Sequence, residues 1–357
     1  MISKRLLDTI TCPAPECIAL GVHLEPRADM FACSNCGRSY QVAQEGYLDL
    51  MPPEEGAHTS LYVSHADEFE ATLDYRRIGP PVLGAGVRQR AIRRLLRPGP
   101  GDSLVELGCG NGKFLVWNRR QVQWAVGVDP APLFADAARR SVDLVRADAR
   151  SLPFPEGTFT TAMSIDVLEH LPLPDFKAYL GEAHRVLAPG GRMLIYSNTR
   201  EGSRLDFVVR GARLLSSKLA AIGIIDDTRD RLRKSDHVKA VETYPQLERV
   251  LQECGFSVER VVFWNGLFQS IIENLVVKLV ESALRRRRGA AARASSGSAS
   301  TDGEDRLRSS MRGAMARGGP ARIMARVLTE LMWLDLVLFG GWRAGPYFVL
   351  VRREDRL

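Results

Sequence analysis

The chain has 357 residues, 45% of them hydrophobic and 25% charged, which is ordinary globular usage and excludes wholly disordered, collagen-like and small disulfide-scaffold proteins. The net charge of +7 is local: Glu281 to Arg326 alone holds eleven Arg against four acids, a net of +7. Elsewhere the signs cancel, so the excess marks an appendage rather than a general nucleic-acid surface.

No charged start followed by an apolar run occurs in Met1 to Cys12. A cytoplasmic protein with reduced thiols is therefore expected. Cys12 and Cys17 form a C-x4-C pair, and after fifteen residues Cys33 and Cys36 form a C-x2-C pair. Two such knuckles can close a tetrahedral zinc site, and with all four positions filled by cysteine the site is structural. Residues 1–52 read as a zinc-ribbon segment too small to have its own core. Loss of its zinc is expected to unfold it while leaving the rest nearly intact.

From Ser103 onward, strands alternate with helical stretches, the signature of an α/β fold with a mostly parallel sheet. Seven strands are expected: Ser103–Leu107, Trp124–Val128, Leu144–Arg146, Thr160–Ile165, Arg192–Ser197, Val258–Phe263 and Tyr347–Val351. Helices fit at Gly112–Arg120, Pro132–Arg139, Asp175–Leu187 and Pro245–Cys254, the last stopped by Gly255. The core spans residues 60–264 and 346–357. A small insertion, 200–236, falls on the acceptor side, and a long one, 265–345, precedes the last strand and contains a low-complexity linker at 289–304.

Val105-Glu106-Leu107-Gly108-Cys109-Gly110-Asn111-Gly112 ends a strand and opens a helix, placing glycines where backbone approaches a ligand. About twenty residues on, Asp129 ends the next strand, placed for two ribose hydroxyls. The G-x-G-x-G spacing, with Glu106 before it, argues for a nucleoside cofactor other than a dinucleotide. These motifs, with Arg146-Ala147-Asp148-Ala149, Asp166-Val167-Leu168-Glu169-His170-Leu171 and Glu182 to Gly191, strongly resemble class I S-adenosylmethionine-dependent methyltransferases. The match covers Val105 to Asn198 and implies a Rossmann-like seven-stranded sheet.

The resemblance implies Gly108, Gly110 and Gly112 along the methionine part of S-adenosylmethionine. Cys109 lies between them, suited to packing rather than thiol chemistry. Glu106 is implied at the amino end, Asp129 on the ribose, Asp148 and Ala149 at the adenine edge, and Ile165 with Asp166 facing the cofactor. Leu168, Glu169 and His170 would line the acceptor side. His170 is the nominated general base, with Glu169 and Asp166 as alternatives. His184 reads as structural, and His237 as a pocket border.

The ribbon resembles the cysteine-rich segment fused to, or partnering, certain RNA and small-molecule methyltransferases. That leaves an rRNA or tRNA base methyltransferase as the rival to a small-molecule enzyme. A noncatalytic cofactor-binding scaffold is the third alternative.

Phe268 to Leu284 is amphipathic and runs into the basic run Arg285 to Arg288, and a second apolar stretch follows at Ile323 to Phe339. Neither reads as a membrane span. Packing on the core or in a dimer, or peripheral contact with an anionic membrane at its inner face through Trp264, Phe268, Trp333 or Trp342, are both open. The acceptor expected is an oxygen of a hydrophobic, quinone-like or lipid- or glycan-linked small molecule, with nucleic acid the less favoured partner.

Overall fold

A computed structural model describes residues 2–27, 30–51, 76–197, 201–225, 238, 240–283, 286 and 319–355. His237, most of the Arg285 to Arg288 run, the 289–304 linker and residues 226–236 of the smaller insertion lie outside them.

The N-terminal segment opens with α1 (Lys4–Thr9), whose first turn is capped by Ser3 Oγ accepting from Leu6 N, and α2 (Pro15–Ile18). It continues as four short strands: β1 (Leu24–Arg27), β2 (Met30–Cys33), β3 (Ser39–Val42) and β4 (Leu48–Asp49). Then comes α3 (Leu83–Ala91), extended by a π-helical turn at Ile92–Leu96. The core alternates β5 (Ser103–Leu107), α4 (Lys113–Asn118), β6 (Trp124–Asp129), α5 (Asp136–Arg139), β7 (Asp143–Arg146), β8 (Phe159–Ile165), α6 (Leu173–Val186) and β9 (Leu187–Ser197). The chain ends with α7 (Asp206–Ala221), α8 (Tyr244–Glu253), β10 (Phe256–Phe263), α9 (Leu267–Ile271) with a π-helical continuation Ile272–Val277, α10 (Pro320–Phe339) and β11 (Tyr347–Arg353).

Among the described residues the strands form one sheet in the order β1-β2-β3-β4-β7-β6-β5-β8-β9-β11-β10. From β4 through β9 the pairing is parallel, and β11 runs antiparallel between β9 and β10. β5 and β6 are buried at every position, as parallel strands covered on both faces must be. All seven expected strands are present. Helix starts were less legible: Pro132 to Ala135 precede α5, and α6 begins at Leu173.

Two features depart from the sequence reading. The ribbon shares the molecule's core: Leu48 pairs with Val145, and Leu6, Ile10, Leu48 and Leu50 are buried in the same apolar cluster as Val126, Val145 and Phe154. And α3, absent from the expected elements, packs Val87, Ala91, Ile92 and Leu96 onto the opposite sheet face. Its Gln89 is buried by a reciprocal amide pair with Asn118, at 2.7 and 2.9 Å, a polar residue that interrupts the apolar period without costing an unsatisfied group.

Candidate cofactor and acceptor site

In open α/β sheets ligands bind beyond the carboxyl ends of the strands where strand order reverses. Here the reversal is at β5, flanked by β6 and β8. Gly108 follows β5 with φ +74°, and a Cβ there would come within 2.4 Å of Val167 just past β8. The two strand ends touch, and only glycine permits it. Gly110, at φ +51°, has open space where a Cβ would lie, as a loop must to admit a ligand against its backbone.

Asp129 holds this loop. Its Oδ2 accepts from Gly110 N at 2.7 Å and its Oδ1 from Ala131 N at 2.9 Å, leaving each oxygen a further lone pair for a hydroxyl donor. Burial raises its pKa to about 6, against the pull of those two N–H groups and of nearby His170. Glu106, 1% exposed, lies in the middle of β5; its Oε2 has no hydrogen-bond partner among the described residues, and burial raises its pKa well above the ordinary carboxylate range. A buried acceptor of that kind fits a ligand ammonium group. Cys109 is buried, and its Sγ occupies the space that a Cβ on Gly127 would need, 2.7 Å away. It fills the gap between β5 and β6.

Asp148 is more occupied than the motif suggests. Its carboxylate takes Arg150 in a fork, Nη2 to Oδ2 at 2.6 Å and Nε to both oxygens at 3.0 Å, while Arg150 also reaches Asp175 at 2.9 Å. Ala149 packs beside it against the core. The Asp148–Ala149 turn is thus braced, with the Asp148 carboxylate already engaged by Arg150.

At the end of β8, Ile165 is buried and Asp166 has φ +60°, a conformation uncommon for a non-glycine residue. Arg88 of α3 meets it, Nε to Oδ2 at 3.3 Å, with its guanidinium over the rings of Tyr196 at 4.6 Å and Trp264 at 5.8 Å. Glu169 is buried and accepts from Ser197 Oγ at 3.2 Å. His170 closes the 3-10 turn Leu168–His170 and is partly exposed. The three candidates Asp166, Glu169 and His170 therefore sit on one turn, with His170 toward Asp129 and Asp166 toward Arg88. Sequence reading missed Arg88, Tyr196 and Glu273, which accepts from Gly84 N at 3.1 Å; the apolar period of 83–96 was the available signal. His184 lies away from this site and meets Glu354 O at 2.9 Å.

The four ribbon cysteines converge separately. Their sulfurs lie within 4.8 Å of one another, with Cys12–Cys36 and Cys17–Cys33 both at 3.7 Å. Zn–S bonds of ~2.3 Å in a tetrahedron require sulfurs about 3.8 Å apart. Tyr40 Oη lies 3.3 Å from Cys12 Sγ, and Asn35 Nδ2 donates to Cys17 Sγ at 3.2 Å, the outer contacts that orient metal-binding thiolates.

Strand order and glycine loop together define a class I methyltransferase fold. Residues 105–195 match the family described as "Methyltransferase domain", and the chain carries a domain of that family. Among curated proteins, "Probable tRNA methyltransferase 9B" of Mus musculus is 34% identical over 127 residues, 34% of this chain and 28% of that protein. "Demethylmenaquinone methyltransferase" of Mycobacterium marinum is 27% identical over 186 residues, 52% of this chain and 78% of that one. The solved Haemonchus contortus phosphoethanolamine N-methyltransferase 2 with S-adenosyl-L-methionine aligns at TM-score 0.48 and 14% identity, covering 85% of this chain and 61% of that one. The chain thus spans about a quarter of the length of the mouse relative.

Proposed function

We propose that this chain transfers a methyl group from S-adenosylmethionine to oxygen of a hydrophobic, quinone-like or lipid- or glycan-linked small molecule. The observation that carries the cofactor assignment is the Gly110–Asp129 clasp beside Glu106 at the sheet's switch point. When bound, the cofactor supplies a sulfonium methyl already activated for displacement. The residues then have three tasks. Gly108 to Gly112 and Glu106 would hold the amino-acid end, Asp129 the ribose, and the Asp148–Ala149 turn the adenine edge. Ile165 and Asp166 would fix the acceptor's approach, and alignment alone supplies much of the rate. His170 would accept the acceptor's proton, with Glu169 and Asp166 as the alternative bases.

The lipophilic acceptor is supported by the name of the Mycobacterium marinum relative, a demethylmenaquinone methyltransferase. Cys12, Cys17, Cys33 and Cys36 would hold a structural Zn2+, with no open position for catalysis. We divide the chain accordingly: ribbon 1–52, core 60–264 with 346–357, and insertions at 200–236 and 265–345. The mouse relative's name favours RNA as a second reading, in which the ribbon would recognise the nucleic acid. Incubation with methyl-labelled cofactor and host extract, split into organic, RNA and protein fractions, separates the two: organic-phase label is expected, and label confined to RNA overturns the acceptor assignment. Label in no fraction supports the scaffold alternative.

A further inference from the structure

The helical layer over the acceptor side has an outer face the catalytic reading does not use. α9 with its continuation packs against both α7 and α10. Inward, α7 buries Val209, Ala212 and Ser216, and α10 buries Met332, Trp333, Asp335 and Leu336. Asp335 belongs to that inner side, its carboxylate accepting from Phe268 N, Gln269 N and Trp264 Nε1.

A helix packed on a core ordinarily turns a polar face outward. These do not. α10 leaves Ile323, Val327, Leu331, Leu334 and Leu338 exposed, a single stripe at spacings of three and four along a helix of roughly 30 Å. α7 leaves Phe207 and Leu214, and Ile222 at its C-cap, more than half exposed, and α9 with the helical residues 278–283 that follow its continuation leaves Ile271, Leu279 and Val280 exposed. Scattered exposed apolar residues are ordinary; stripes on three neighbouring helices mark a binding face. Exposed cations lie among them, Arg213 and Lys218 on α7 and Arg326 on α10. The nearby acids are drawn aside: Glu330 pairs with Arg90 of α3 at 2.5 Å, and Glu201 pairs with Arg343. No described helix is long and apolar enough to cross a membrane.

We propose that the outer faces of α7, α9 and α10 lie flat on an anionic phospholipid surface. Apolar side chains enter the headgroup boundary, and Arg213, Lys218 and Arg326 meet lipid phosphates. The anchors differ from those the sequence suggested: Trp264 and Trp333 are buried and Phe268 is half-buried, so of that set Trp342 alone is exposed. On the layer's inner side Trp264 and Glu273 lie by the Arg88–Asp166 pair, so docking here would hold the site beside the bilayer that dissolves the proposed acceptor. That last link rests on the proposed acceptor; the docking does not.

The test is flotation of the full chain with phosphatidylcholine vesicles containing or lacking phosphatidylglycerol, without cofactor. Binding is expected only to the anionic vesicles and is expected to weaken with salt. Leu331→Glu with Leu338→Glu, and separately Phe207→Glu with Leu214→Glu, should each lower partitioning at least about tenfold. Arg213→Gln with Lys218→Gln should lower it roughly fivefold per residue. Unchanged melting and cofactor titration show that each variant is folded. Failure of the folded wild-type chain to float overturns the proposal, as does light scattering that shows a dimer dissolved by the same apolar variants. Flotation without methyl label in the organic phase leaves docking standing and removes the acceptor assignment.

Discussion

Asp129 combines two duties that pull in opposite directions. Its charge favours the hydrogen bonds from the Gly110 and Ala131 amides and, in the proposed function, accepts from a ribose, yet burial raises its pKa to about 6. A carboxyl with a raised folded-state pKa binds protons more tightly in the native chain than in the unfolded one. Its charging therefore removes stability as pH rises from the ordinary carboxylate range through about 6, by up to about 3 kcal/mol. A ligand that prefers the charged form has the opposite dependence. Cofactor affinity is expected to rise with pH through about 6 and to level above it, with proton release on binding below that point; affinity that is flat across this range in calorimetry would contradict the assignment. Arg88 carries the second residue-level expectation. It meets Asp166, whose backbone is left-handed, and lies over two aromatic rings. Arg88→Met should keep much of the apolar packing but lose the charge pair. It should cost about 1–2 kcal/mol in denaturant unfolding and lower kcat more than cofactor affinity. Equal losses in both would place Arg88 in the cofactor pocket instead.

At the scale of elements, the ribbon braces the strand end at Arg146 and the turn after Asp148, the region proposed to hold the cofactor's adenine. Asp49 pairs with Arg146 at 2.8 Å, and Arg146 Nε donates to Pro130 O at 3.1 Å, next to Asp129. Thr11 N donates to Pro153 O at 3.0 Å and Ser151 Oγ to Pro13 O, tying the turn after Asp148 to the first knuckle. The sequence reading, which treated the ribbon as separate, expected chelation to leave cofactor binding nearly intact. These contacts alter that expectation. Chelation or Cys33→Ser should lower Tm in a single cooperative transition and weaken cofactor affinity several-fold; a separate early transition with unchanged affinity would show that the ribbon is energetically independent. These contacts leave no mark on the sequence for a physical reason. Cysteine spacing reports a local metal cluster, whereas the parallel pairing of Leu48 with Val145 joins residues nearly a hundred positions apart and leaves no local trace. The core strands were legible because parallel strands are near-continuous apolar runs. By contrast, α3 was masked by Gln89, whose partner Asn118 only the fold supplies. The glycine loop and Asp129 could be read because their chemistry is local; Arg88 and Glu273 reach the site through tertiary packing.

For the whole molecule, one sheet joins three regions. The ribbon extends it beyond β7, the parallel core presents the glycine loop and the Asp166–His170 turn at its carboxyl ends, and α3, α10, α9 and α7 pack in series as a helical layer. The insertion is tied to the core: Asp335 accepts from two backbone amides of α9 while Trp264, its third donor, stacks on Phe348 of β11. The clasp at the switch point carries the proposed cofactor assignment, and titration calorimetry of S-adenosylmethionine into the full chain, wild type beside Asp129→Ala, tests it most directly. Removing two charge-assisted backbone hydrogen bonds and the ribose acceptor should cost about 3 kcal/mol or more, roughly a hundredfold in Kd. Saturable wild-type binding at one site, lost by that factor in a folded variant, is the predicted result. Equal affinity in the two proteins, or no binding by the folded wild-type chain, would contradict it.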